Sequence, residues 1–299
     1  MESIKKIDIH AHATAFPEWI PHNPRSQQKF LSAEELFVFY DKLNIEKGVL
    51  LPLCAPEGQW FTMTSENCKL LTEQHPDRFL WFCSVDPRMG DNNVRTDLSY
   101  LLEHYKALGA KGCGELTAQL YADDPLMDHL YSCLEETDMP LIIHIAPKFG
   151  DGYGIVDEVG LPRIEKVLKK HPKLKLLGHS QPFWSEISAD VTAENRCGYP
   201  KGKVKEGRIS ELMREYENLY CDISAGSGMN AFCRDPEFSA RFIEEFADRI
   251  FYGCDICSVN NKHPYAFEAF FETMRSDGSI SEENYRKIVR ENAVKLLKL

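Results

Sequence analysis

Two histidines one residue apart, His10 and His12, close the apolar run "KKIDIHAHA", and imidazoles at that spacing can share a divalent cation. In an extended strand, side chains two apart lie on one face, so Asp8, His10 and His12 are expected opposite Ile7, Ile9 and Ala11. With ten histidines in 299 residues, a His-x-His pair arises easily by chance, so its weight rests on where the other ligand types fall. His144, His179 and Asp255 each end a strand-like run, and Glu115 lies near the end of another, on one face with Lys111 and Cys113. The remaining histidines have structural readings: His75 and His171 precede proline at helix ends, His104 and His129 sit in helical patterns, and His22 and His263 fall in loops.

Neutral imidazoles and carboxylates without thiolates suit a divalent metal, with zinc the first expectation. A catalytic metal keeps a position open for water and lowers its pKa to about 7. The metal-free alternative is a buried, hydrogen-bonded His/Asp network, in which Asp255 would be a helix cap and Glu115 half of an ion pair.

These residues must be brought together by the elements that carry them. Eight apolar runs read as strands near residues 5–10, 47–53, 79–85, 110–116, 140–145, 173–179, 218–224 and 249–255. Helical patterns lie between them, such as "SAEELFVFYDKL", where Ser32 and Glu35 have the spacing of a capping box. Strands too apolar to have a wet face, alternating with helices, imply a parallel sheet covered by helices. Eight of them favour a closed (β/α)8 barrel forming a single domain over residues 1–299, in which strand C-termini make one ring. An open dinucleotide-binding sheet is disfavoured, because "HAHATAFP" stands where its glycine-rich loop would be. Two long connections, at about 14–31 and 180–205, follow strand C-termini and are expected at the active-site mouth.

The formal net charge of −11 argues against a nucleic-acid or anionic-membrane surface, and leaves a small-molecule substrate as the expected partner. No run approaches a membrane span or the apolar core of a signal peptide, so a cytoplasmic location is expected. The ten scattered cysteines read as reduced, buried thiols. "CDIC" at 254–257 is a lone C-x-x-C without a thioredoxin-like pattern, and "AGSGMN" at 225–230 lacks the lysine of a phosphate loop, so a flexible active-site loop is expected there.

The "DIHAH" opening, the "HI" of the fifth strand, the "GHS" of the sixth and the "GCD" of the eighth resemble the amidohydrolase superfamily, in particular the amidohydrolase-related branch that includes 2-amino-3-carboxymuconate-6-semialdehyde decarboxylase. The resemblance spans nearly the whole chain. It implies that His10, His12, His144 and Asp255 bind one metal and that His179 orients or deprotonates the attacking water. Glu115 stands where binuclear relatives carry a bridging carboxylated lysine, which keeps open a second metal held with His144 and His179.

The leading expectation is a metal-dependent hydrolase of an amide, ester or lactone in a small carboxylated molecule; the alternative is a non-oxidative decarboxylase using the same site. In the hydrolase, Asp255 would take a proton from water and pass it to the leaving group. Arg88 is expected to meet a substrate carboxylate, with the run Lys201, Lys203, Lys205 and Arg208 read mainly as solvated surface. Phe183, Trp184 and Tyr199, with Phe16 and Trp19, would either wall the pocket, Trp184 touching substrate, or pack as a cover beneath the loops. A homo-oligomer is compatible with such a barrel.

Overall fold

A computed structural model describes residues 4–24, 27–57 and 60–299; residues 25–26, inside the first long connection, lie outside the described residues. The strands are β1 (Lys6–Ala11), β2 (Ile45–Leu50), β3 (Phe79–Trp81), β4 (Cys113–Leu116), β5 (Leu141–Ala146), β6 (Ile155–Val156), β7 (Leu176–His179), β8 (Leu219–Asp222) and β9 (Ile250–Phe251). Parallel pairing runs β1-β2-β3 and β4-β5-β7-β8-β9, with β6 added beside β5.

Backbone hydrogen bonds close the two gaps. Cys83 N–H donates to Gly112 O (2.9 Å) and Gly114 N–H to Cys83 O (2.8 Å), joining the end of β3 to β4. Ile9 N–H donates to Tyr252 O (3.0 Å) and Asp255 N–H to His10 O (2.9 Å), joining β9 to β1. The result is the expected (β/α)8 barrel, with β6 as an accessory to its eight staves. Some runs form regular strand over fewer residues than expected: 79–85 at Phe79–Trp81 with a single further bridge at Cys83, and 249–255 at Ile250–Phe251.

Ile7 and Ile9 pack with Val49, Leu51, Phe82, Ile142, Leu177 and Phe251, a cluster drawn from facing strands and therefore the barrel interior. Ala293 and Leu297, from the last helix, Asn292–Leu297, join that cluster. Alternate strand residues, such as Leu50, Leu116, Ile143, Leu176 and Ile250, belong to the larger core between barrel and helices.

The helix Ala33–Leu43 shows how local signals set the frame. Ser32 caps it with the expected capping box, Ser32 N–H donating to Glu35 Oε2 (3.0 Å) and Glu35 N–H to Ser32 Oγ (3.3 Å). The helix presents buried Tyr40, whose hydroxyl donates to Asp8 Oδ2 at 2.8 Å. Asp8 also accepts from His10 N–H (3.0 Å) and Cys254 N–H (2.9 Å), so it ties β1 to its helix and to the β9 connection. Burial pushes the Asp8 carboxyl up to about 7, against these hydrogen bonds and the His10 charge.

Two expectations about connections are corrected. Residues 225–230 are no flexible loop: Ala225–Cys233 is a helix, and a Cβ on Gly228 would stand 2.2 Å from Ile223 O, so glycine there permits close packing. Trp184 is buried in the short helix Gln181–Ser185 and donates its Nε1–H to Asp222 O at 2.9 Å, so it packs as a cover beneath the loop and lines neither cavity over the histidine cluster. Phe183 is buried with it, while Phe16 and Trp19 stack on each other at 4.7 Å and are exposed. All ten cysteines are unpaired. No helix among the described residues is long and apolar enough to cross a membrane.

Gly48 lies under Tyr40: a Cβ there would meet the Tyr40 hydroxyl oxygen at 2.0 Å. Gly48→Ala is therefore expected to displace Tyr40 from the buried Asp8 and lower unfolding free energy by about 1–3 kcal/mol. Denaturant unfolding measures this; an unchanged midpoint and slope would contradict the assigned contact.

Candidate metal centre and cleft

Strand period predicts that Ile9 and His10 face opposite ways, yet both Ile9 and the His10 ring lie inside the barrel mouth. The β1-β2 pairing shifts register between Asp8 and Ala11, and such irregularities re-aim side chains. Asp8, expected on the histidine face, instead points at the Tyr40 helix. The β4-β5 pairing shifts similarly between Cys113 and Leu116, so Glu115 turns inward while Cys113 packs in the outer core. His144 and His179 need no irregularity, since they continue the inward rows of Ile142 and Leu177 and pair directly across β5 and β7.

These side chains converge. His10 Nε2 and His12 Nε2 face each other at 3.0 Å. Glu115 Oε2 lies 3.6 and 3.5 Å from them, and Asp255 Oδ1 3.7 and 3.5 Å. Glu115 Oε1 turns the other way, accepting from His144 Nδ1 at 2.6 Å and lying 4.0 Å from His179 Nε2. His179 Nε2 is 3.8 Å from Asp255 Oδ2. All six expected ligands thus meet, in overlapping groups that include His10/His12/Glu115, His10/His179/Asp255 and Glu115/His144/His179.

The outer nitrogens explain why this set suits a cation. His12 Nδ1 is 3.0 Å from Leu51 O, which only accepts, so Nδ1 carries the hydrogen and Nε2 a lone pair. His10 Nδ1 is 2.5 Å from Asp222 Oδ2. Burial works to raise Asp222, but the His10 and His179 charges and hydrogen bonds outweigh it and hold the group below the usual carboxylate range, so it accepts from His10 Nδ1–H. With both rings neutral, two lone pairs would face each other at 3.0 Å, a contact that a proton or a cation between them relieves. Two nitrogens each about 2.1 Å from a shared ion lie about 3.0–3.4 Å apart, which matches.

The field points the same way. Burial lowers His10, yet Asp222 and Asp255 drive it well above the ordinary histidine range, the signature of a place that calls for positive charge. Burial would raise Glu115, but the imidazoles around it, His144 first and then His10 and His12, hold it well down. Burial lowers His144, against the pull of Glu115, which favours the neutral ring that a ligand must have.

Asp222 was missed in the sequence, although it ends a strand as His179 does. It orients two rings: His10 through Oδ2, and His179, whose Nδ1 lies 3.3 Å from that oxygen and 3.2 Å from Ser224 Oγ. Asp255 sits in the left-handed region (φ 50°), a conformation Asp tolerates better than most residues, and is held there by its bond to His10 O.

Above the cluster opens a cleft of about 940 Å³ whose floor includes His12, Glu115 and Asp255 and whose walls include Phe30, Trp60, Phe61 and Tyr153. A second lobe of about 360 Å³ reaches His144, His179, Cys197 and Tyr199. Tyr199 is thus the one of the expected wall aromatics that reaches the mouth. Arg88 does not: its guanidinium is taken up by Asp86 and Glu57, lines neither lobe, and serves to hold Glu57 in the wall. Lys29 is the one Lys or Arg among the described residues lining either lobe, resting 3.2 Å from exposed Glu18. In the basic run, Lys203 pairs with Asp235 and Glu237, and Arg208 with Glu165 and Glu211, as solvated surface should.

The chain belongs to the amidohydrolase family, an enzyme family whose pattern its sequence matches over residues 7–299. Among solved structures, an uncharacterized TIM-barrel protein from Bordetella bronchiseptica is similar at 17% identity, covering 99% of each chain with a TM-score of 0.65. 5-Carboxyvanillate decarboxylase from Sphingomonas paucimobilis matches at 18% identity over 99% of this chain and 100% of its own, with a TM-score of 0.64. A dihydroxybenzoic acid decarboxylase from Polaromonas sp. JS666, solved with bound manganese and the inhibitor 2-nitroresorcinol, matches at 18% identity over 99% and 98%, with a TM-score of 0.58. No curated protein matches the sequence. Family and donor set together support a divalent-metal centre at this cluster.

Asp222→Asn keeps the shape but removes the charge that orients His10. Divalent-metal affinity is expected to fall about 10–100-fold, read by competition with a chromophoric chelator. An unchanged affinity would remove Asp222 from the centre.

Proposed function

We propose that this protein is a metal-dependent, non-oxidative decarboxylase of a small hydroxylated aromatic carboxylate. The observation that carries the reading is the aromatic-walled cleft over a cluster of four histidines and two carboxylates, in a chain whose fold is shared end to end with decarboxylases of hydroxylated benzoates. That likeness weights the alternative above the leading expectation of a hydrolase, which rests on the family alone.

His10, His12, Asp255 and Glu115 would hold the metal, with Glu115, His144 and His179 available to a second ion. When bound, the cation would supply the positive charge that draws in an anionic substrate group. Nitrogen and oxygen donors of this kind serve zinc or manganese.

The chain's own residues do the rest. Phe30, Trp60, Phe61 and Tyr153 pack the ring and exclude water, and Lys29 can exchange its exposed partner Glu18 for an anionic group on the substrate. Asp255, the ligand whose side chain is most open to the cleft at 21% exposure, carries the proton. His179, fixed by Ser224 and Asp222, faces Asp255 Oδ2 and orients it. Asp255 delivers that proton to the ring carbon bearing the carboxylate; the carbon–carbon bond then breaks, its electron pair restores the ring, and CO2 leaves. One proton is consumed per turnover.

With a panel of hydroxybenzoates, stoichiometric CO2 and the decarboxylated phenol are expected, and Asp255→Asn should cut the rate about 10²–10⁴-fold. If no acid releases CO2 while an amide, ester or lactone yields product carrying solvent oxygen, the hydrolase reading replaces this one.

A further inference from the structure

The pair Cys254-x-x-Cys257 is only half used by the fold. Cys254 is buried, its Sγ 3.6 Å from the Tyr252 hydroxyl, whereas Cys257 lines the main cleft. Cys257 Sγ is 3.3 Å from Asp255 Oδ1, the same oxygen that faces His12 Nε2 at 3.5 Å. The donor atoms of His12, Asp255 and Cys257 all lie within 4.8 Å of one another. The sulfur is held there by its backbone, since the N–H groups of Cys257 and Ser258 both donate to Asn261 Oδ1 at 2.9 Å.

We propose that Cys257 is a sulfur donor to the centre, forming with His12 and Asp255 a face that takes a thiophilic divalent cation of the zinc or cadmium class. The inference rests on the cluster being a metal centre and is independent of which bond the enzyme breaks. Thiolate favours zinc, whereas carboxylate and water suit manganese, so this sulfur tilts the chain's metal choice away from manganese. Ligation breaks the S–H bond as the S–metal bond forms, the proton leaves to solvent, and nothing is oxidised or reduced. The competing role for the thiol, hydrogen-bond donor to Asp255 and nothing more, predicts no sulfur beside the ion.

X-ray absorption of the zinc-loaded full chain separates the two. A sulfur scatterer at about 2.3 Å is expected beside nitrogen and oxygen at about 2.0–2.1 Å. Cys257→Ser should remove the sulfur shell and lower the ratio of zinc to manganese affinity by at least about tenfold, the scale of even indirect ligand losses. Cys197→Ser, which changes the exposed thiol of the second lobe, should keep both. A shell of nitrogen and oxygen alone in the wild type overturns the proposal without any variant having to fold, and leaves the metal centre standing. A chain that takes no zinc overturns both.

Discussion

Two imidazole nitrogens held 3.0 Å apart among buried carboxylates are the constraint on which the rest of this site depends. The contact is repulsive until a positive charge enters it. Three carboxylates surround it, Glu115 and Asp255 at the nitrogens and Asp222 behind His10. An uncompensated charge of that kind costs several kcal/mol in a buried site. The helices and strand junctions that aim these groups, from the capped helix carrying Tyr40 to the Asp8 tie, therefore serve one geometric end: keeping acceptors together that would otherwise separate.

How the cluster is aimed also explains what could be read from the sequence. Strand and helix alternation disclosed the barrel, and the expectation that ligand-type residues end strands singled out His144, His179 and Asp255, which the fold brings together. The same rule applies to the end of "NLYCD", where Asp222 stands, but a residue that orients ligands carries no spacing signal of its own. Simple alternation failed at β1 and β4, where register shifts turn His10 and Glu115 inward. A one-residue irregularity leaves no compositional mark, so the face that Asp8 takes is set by the register shift and not by the sequence pattern.

Charge was the least legible property. Arg88 looks free in one dimension and is neutralised in three, by Asp86 and by Glu57, which is distant in sequence. Glycines at 226 and 228 suggested mobility, whereas Gly228 is a spacer that lets a helix approach the end of β8. The two-residue strand β6 sits beside a glycine-rich stretch too short to show any period.

The most direct test of the account is anomalous diffraction from crystals of the metal-loaded protein, recorded on both sides of the metal's absorption edge. A peak about 2.0–2.3 Å from both His10 Nε2 and His12 Nε2, with Asp255 also in coordinating reach, is the predicted result. No peak, with the two imidazoles bridged by a single proton at the 3.0 Å separation, would contradict it.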